Sequence, residues 1–173
     1  LLLYSGMIKE VYHGHKHEFE MRRYVSAYID LVKRGVQLKN QRSGFLSQEG
    51  LSKRHTSTKK VTAESTKFIV EQLEKNIQTY EEQKKQYEEL FTGMGKKHKL
   101  LKNLMTIPGI GPISAMKIAG TVVDIKRFPT IGKYLAYCGL VSHIMISGGR
   151  VYGRRRSRYS RVLREAYKTA AIT

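Results

Sequence analysis

The chain has 173 residues, 40% of them hydrophobic, enough for one packed domain or a domain with an appendage. No apolar run approaches the ~18 residues of a membrane-spanning helix. Leu1-Leu2-Leu3-Tyr4 is too short for a signal peptide and lacks its basic flank. The single cysteine, Cys138, excludes an internal disulfide and fits a reducing, cytoplasmic setting.

The net charge of +18 is unevenly spread: residues 96–173 carry 16 basic and two acidic side chains, whereas residues 61–95 carry four and seven. So dense a positive field calls for a polyanionic partner, and nucleic acid is the natural one. A membrane surface would demand bulky apolar residues on a basic amphipathic face, and this stretch has few.

His13, His15 and His17 alternate near the start. With no cysteine or acidic cluster to complete a metal site beyond Glu18 and Glu20, they read as loop or helix-start residues. Residues 18–46 read as a long helix. Met21, Tyr24, Tyr28, Leu31, Gly35 and Leu38 recur at three-four spacing, and Val25, Val32 and Val36 widen the stripe. Gly44 and Gly50 bracket its end. Residues 47–61, polar and basic, form an exposed connection.

Residues 62–91 form the second long helix, with Thr62 as its cap. Val70, Leu73, Ile77, Tyr80, Lys84, Tyr87 and Phe91 make a heptad seam broken once by charge at Lys84. Gly93 and Gly95 end it. Such a helix needs a partner for its seam. The first helix folded back and the same helix of a second subunit both qualify, and a homo-oligomer through 62–91 is expected.

The remainder, 96–173, reads as a compact unit. Lys96–Met105, Ile113–Val123, Ile131–Cys138 and Arg156–Ala171 are helices, and 143–152 is extended around a Gly148-Gly149 hairpin turn. Cys138 sits in an apolar stretch and reads as core. The fold class is therefore mainly α: a long helical hairpin or coiled coil, followed by a compact helical domain with a helix-hairpin-helix and a short β-hairpin. The domains are 1–17, 18–95 and 96–173.

Two features of the last unit carry chemistry. In Pro108-Gly109-Ile110-Gly111-Pro112 the glycines let backbone approach a phosphate. Free N–H groups at the start of the next helix would face that anion, with Lys117 one turn in. The second feature is Ser147, on an uncluttered glycine turn beside Arg150, Arg154, Arg155, Arg156, Arg158, Arg161 and Arg164. Guanidinium groups clamp phosphoryl oxygens bidentately, and a serine hydroxyl among them is a candidate nucleophile, although it needs a base or metal. A two-metal nuclease site is excluded on composition: Asp30 and Asp124 are the only aspartates, and the glutamates lie mostly on the outer face of 64–89.

These motifs match a family. Leu104 to Pro112, then Phe128-Pro129, Tyr137-Cys138-Gly139-Leu140-Val141 and Ser147-Gly148-Gly149 resemble, in order and spacing, the C-terminal domain of insertion-sequence one-ten transposases. These DEDD-type enzymes include the one-sixteen and nine-oh-two elements. The resemblance covers about 104–171. The preceding helices look like the family's coiled-coil segment, and residues 1–12 like the tail of its RuvC-like domain.

The resemblance implies a DNA recombinase. Ser147 falls on the serine that attacks a DNA phosphodiester and becomes joined to DNA, Mg²⁺ is held by carboxylates of the RuvC-like domain, and a structured guide RNA selects the DNA. Implied DNA contacts are Gly109, Ile110, Gly111, Lys117 and the seven arginines. Arg156-Ser157-Arg158-Tyr159-Ser160 departs from the Ser-Lys-x-Gly-Asn stretch of many members. The carboxylate set is absent from the sequence, so the expectation is a fragment inactive in strand transfer on its own. The alternative is a non-catalytic helix-hairpin-helix binding protein, and a weaker one a basic RNA-binding protein.

Overall fold

The computed structural model describes residues 16–51 and 61–172, with side chains from residue 19 onward. His13 and His15, the side chain of His17, the RuvC-like tail and most of the basic connection lie outside the described residues. The order is α1 (Lys16–Gln48), α2 (Glu64–Lys97), α3 (Lys99–Met105), α4 (Pro112–Val122), a 3-10 turn (Ile125–Arg127), α5 (Ile131–Tyr137), β1 (His143–Ser147), β2 (Arg150–Arg155) and α6 (Arg161–Ile172). The fold is mainly helical with one small antiparallel sheet. No helix among the described residues is long and apolar enough to cross a membrane. The chain divides into two compact units, Leu1–Val25 with Gly95–Thr173, and Ser26–Met94.

In the Ser26–Met94 unit the seam of α2 is covered by α1. Val70, Leu73 and Tyr80 of α2 and Phe91 at its C-terminal part are buried, as is Tyr28 of α1. The Tyr28 ring meets Phe91 edge-on at 5.3 Å and Tyr87 at 5.9 Å, and its hydroxyl donates to Glu88 at 3.0 Å. Gly35 lets the Tyr80 ring lie on the α1 backbone, because a Cβ there would fall 2.2 Å from the ring. Arg42–Glu74 and Lys39–Glu81 ion pairs flank this strip. Lys84, the charged break in the seam, is half-buried and paired with Glu88.

Several boundaries move, each for a physical reason. α1 passes through Gly44 and stops at Gly50, where the Gly50 N–H donates to Ser47 and the Leu51 N–H to Leu46. Those paired bonds close a helix C-terminus, and they bring Leu46 into the core. Val36 and Tyr24, expected on the apolar stripe, are 51% and 40% exposed. Thr62 does not cap α2; the Lys67 N–H bonds to the Ala63 carbonyl and the helix begins at Glu64. Nor do Gly93 and Gly95 end it. The helix runs to Lys97, and the missing Cβ of Gly95 makes room for the Met105 side chain. Lys96 and Lys97 close the last turn, where positive charge favours the helix dipole. His98 is extended, so α3 begins at Lys99 rather than Lys96.

The other unit is built around α4. Ala115, Met116, Ile118, Ala119 and Val122 are buried with Leu101 of α3 and Leu163 and Ala166 of α6. Each such large apolar side chain contributes about 1.5–3 kcal/mol of transfer free energy. A Cβ on Gly120 would meet Val25 and the Met21 backbone, so α4 packs tightly against the first turns of α1. Cys138 is buried. Burial raises its thiol above the ordinary range, and the phenols of Tyr134 and Tyr167, whose hydroxyls bond to each other, are raised for the same reason.

Candidate nucleic-acid interface

The Ser147 hairpin is built by its turn. Gly148 and Gly149 have φ of 56° and 75°. Two consecutive left-handed residues form the tight turn whose twist matches the flanking strands. The register pairs Ser147 with Arg150, Ile146 with Val151, Met145 with Gly153, Ile144 with Arg154 and His143 with Arg155. Tyr152 is the extra residue of a bulge between the first two and last three pairs.

Directly opposed residues share a face of the ribbon. Ser147 therefore shares its face with Arg150, while Arg154 shares the opposite face with Ile144. Of the arginines expected around Ser147, the register brings Arg150 beside it and turns Arg154 away. Ser147, Gly148, Gly149 and Arg150 are all exposed.

Among the described residues no side chain hydrogen-bonds the Ser147 hydroxyl. The imidazole on its strand and face, His143, is four residues away, about 13 Å at ~3.3 Å per residue. That imidazole is paired elsewhere: His143 Nε2 and Ser157 Oγ lie 3.0 Å apart. Sequence reading missed this contact, since fourteen residues separate the partners and only the hairpin register brings them together.

Arg154 and Arg155 end β2, and Arg156 and Arg158 follow in an irregular, exposed segment. The final helix was expected from Arg156, but it starts at Arg161. Ser160 caps it, its hydroxyl accepting from the Leu163 N–H, while the Ser160 N–H donates to the Tyr137 carbonyl at the end of α5. Tyr159 lies flat on Gly139, where a Cβ would come 2.5 Å from the ring. These contacts pin 156–160 and keep it from continuing the helix. Arg161 and Arg164 then fall on α6 itself.

The glycine-rich turn between α3 and α4 divides its residues between two tasks. Gly109 has φ of 80°, and a Cβ there would stand 2.3 Å from the Ala170 carbonyl oxygen of α6. Its lack of a side chain serves packing of the turn on α6. Ile110 is buried, with its N–H bonded to the Ile107 carbonyl. It anchors the turn in the core and presents no side chain to a ligand. Gly111 caps α4, is exposed, and has nothing within 4 Å of a would-be Cβ. Lys117 is half-buried on α4.

Among the described residues no three His, Cys, Asp or Glu side chains gather to hold a metal. Asp124 caps the 3-10 turn through the Lys126 N–H, and Asp30 pairs with Lys33.

No curated protein matches the chain. Residues 101–173 match the model of the family described as Transposase IS116/IS110/IS902 family, and this match supports a C-terminal part of that family over those residues.

Proposed function

We propose that this chain acts in DNA transposition as the part that binds DNA and presents Ser147 as the nucleophile. The family domain supports the role in transposition. The observation that carries the finer reading is the hairpin tip: an exposed hydroxyl on a two-glycine turn, with Arg150 directly opposite on the same face. In this reading Arg150 binds a non-bridging phosphate oxygen and aligns the phosphorus with Ser147 Oγ. The Oγ–P bond forms as one bridging P–O bond breaks. The serine proton passes to a base from outside the described residues, and the departing oxygen takes up a proton to become the free hydroxyl of the nicked strand. Arg154, Arg155, Arg156 and Arg158 contact backbone phosphates, which position DNA without reading its sequence. The Gly111 turn offers the N-terminus of α4 to a further phosphate, in the manner of a helix-hairpin-helix.

A guide RNA and self-association belong to the same reading. The buried seam of α2 is taken up by α1, which leaves Phe68 and Leu90, exposed on α2, for a second subunit.

The test is Ser147→Ala in a protein that joins this chain to the carboxylate-bearing domain the family resemblance implies. The expected result is loss of the covalent protein–DNA adduct with DNA binding intact. Adducts that survive the substitution would show that Ser147 is not the nucleophile. Binding without any adduct, even in the parent protein, would favour the non-catalytic DNA-binding alternative.

A further inference from the structure

α6 divides its residues between two faces. Leu163 and Ala166 are buried in the core, with Tyr167 and Ala170 partly covered beside them. The opposite stripe, with Tyr159 just ahead of the helix, lines a groove of about 450 Å³ that includes Arg161, Arg164, Glu165 and Lys168. We propose that this groove seats one strand of a nucleic-acid backbone, with Lys168 as a phosphate contact alongside Arg161 and Arg164. The inference rests on the nucleic-acid-binding reading above and assigns it a second binding element besides the hairpin.

Three observations carry it. First, the three cations follow one helical stripe at i, i+3 and i+7. At 1.5 Å of rise per residue this spans about 10 Å, which is roughly three nucleotides at ~3.4 Å of rise per strand. Second, Arg164 is held in place before any ligand arrives. Its Nη1 donates to the Tyr159 hydroxyl at 3.1 Å and its guanidinium stands 5.3 Å over that ring. Tyr159 is in turn seated on Gly139. A guanidinium fixed in this way loses little side-chain entropy on binding an anion. Third, Arg161 and Lys168 form no salt bridge among the described residues, even though Glu165 lies one turn from each along the helix. With three cations against Glu165 the groove is net positive, and Glu165 is the one acidic group among its lining residues.

The experiment measures binding of the full chain to duplex DNA and to single-stranded RNA across a salt series. Variants are Lys168→Ala, Arg161→Ala and Glu165→Gln, all at exposed positions, with melting curves as the folding control. Losing one phosphate contact lowers the log–log salt slope by about 0.9 on duplex DNA and about 0.7 on a single strand. Lys168→Ala and Arg161→Ala are each expected to show that drop, and the polymer on which it appears identifies the strand the groove takes. Glu165→Gln is expected to bind the same polymer roughly two- to five-fold tighter, the range of a surface charge interaction. That gain would not arise from a purely structural role. Steep salt dependence in the parent with unchanged slopes in both cation variants would overturn the α6 site and leave the broader reading standing. Failure of the parent chain to bind either polymer would instead overturn that reading.

Discussion

Gly109→Ala and Gly111→Ala are the same chemical change two residues apart, and the structure assigns them different consequences. At Gly109 the new methyl would stand 2.3 Å from the Ala170 carbonyl oxygen and 2.9 Å from its Cα, on backbone with φ of 80°. The left-handed conformation alone costs a non-glycine residue about 1–2 kcal/mol. Relieving the clash means shifting α6 backbone rather than a flexible side-chain end, and overpacking of this kind costs about 1–3 kcal/mol. Together these give a loss of about 2–5 kcal/mol, which for a unit of this size lowers the melting temperature by about 4–8 °C per kcal/mol. At Gly111, φ is −84° and the space is open, so Ala there meets no clash and loses only the better capping of α4 by glycine, about 1 kcal/mol or less. Thermal and urea unfolding of the two variants, read beside DNA affinity, separates packing from binding. Gly111→Ala should melt within a few degrees of the parent and weaken DNA binding, whereas Gly109→Ala should melt much earlier. Equal melting of the two variants would refute the packing role assigned to Gly109.

In the protein joined to a carboxylate-bearing domain, Arg150→Ala is expected to reduce Ser147–DNA adduct formation far more than it reduces DNA affinity. Arg154→Ala should mainly weaken binding; equal effects on adduct yield would contradict the register. Gly35→Ala gains up to about 1 kcal/mol of helix propensity, yet it pushes a methyl into the Tyr80 ring. It is expected to destabilise the α1–α2 hairpin by about 1–3 kcal/mol, measurable by urea denaturation, and a more stable variant would count against that contact. Burial keeps Tyr134, Tyr167 and Cys138 neutral beyond their ordinary ranges. In the unfolded chain they ionise near about 8.5 for the thiol and about 10 for the phenols. Folded pKa values above unfolded ones give stability that is full below about pH 8.5 and falls as pH rises past it. Tyr134→Phe combined with Tyr167→Phe should flatten that fall in melting curves taken at rising pH, and an unchanged slope would refute the assignment.

What could be read from the sequence was what depends on near neighbours. Three-four spacing places Met21, Val25 and Tyr28 in the core, and it marks the α2 seam, because a helix brings those residues to one face whatever surrounds it. Two consecutive glycines after Ser147 announce a hairpin for the same local reason. What could not be read depends on residues far along the chain. α2 runs through Gly95 because Met105 packs there, and α6 starts at Arg161 because Tyr137 holds Ser160. Gly109 answers to Ala170, sixty-one residues later, so the missing side chain of this glycine is also required by the packing of a distant helix. The arginines show this limit most directly. Their number marks the partner as polyanionic, but a count of charges along the chain gives them one common role. The bulge at Tyr152 separates Arg150 from Arg154, and the Ser160 cap leaves Arg156 and Arg158 off the final helix, on which Lys168, unmarked in the sequence, completes a stripe with Arg161 and Arg164. The run of arginines therefore divides into Arg150 and Arg155 on the face of the hydroxyl, Arg154 on the far face with Arg156 and Arg158 in the segment beyond, and Arg161 and Arg164 along α6. A nucleic acid that meets all three must follow the fold rather than the order of the sequence.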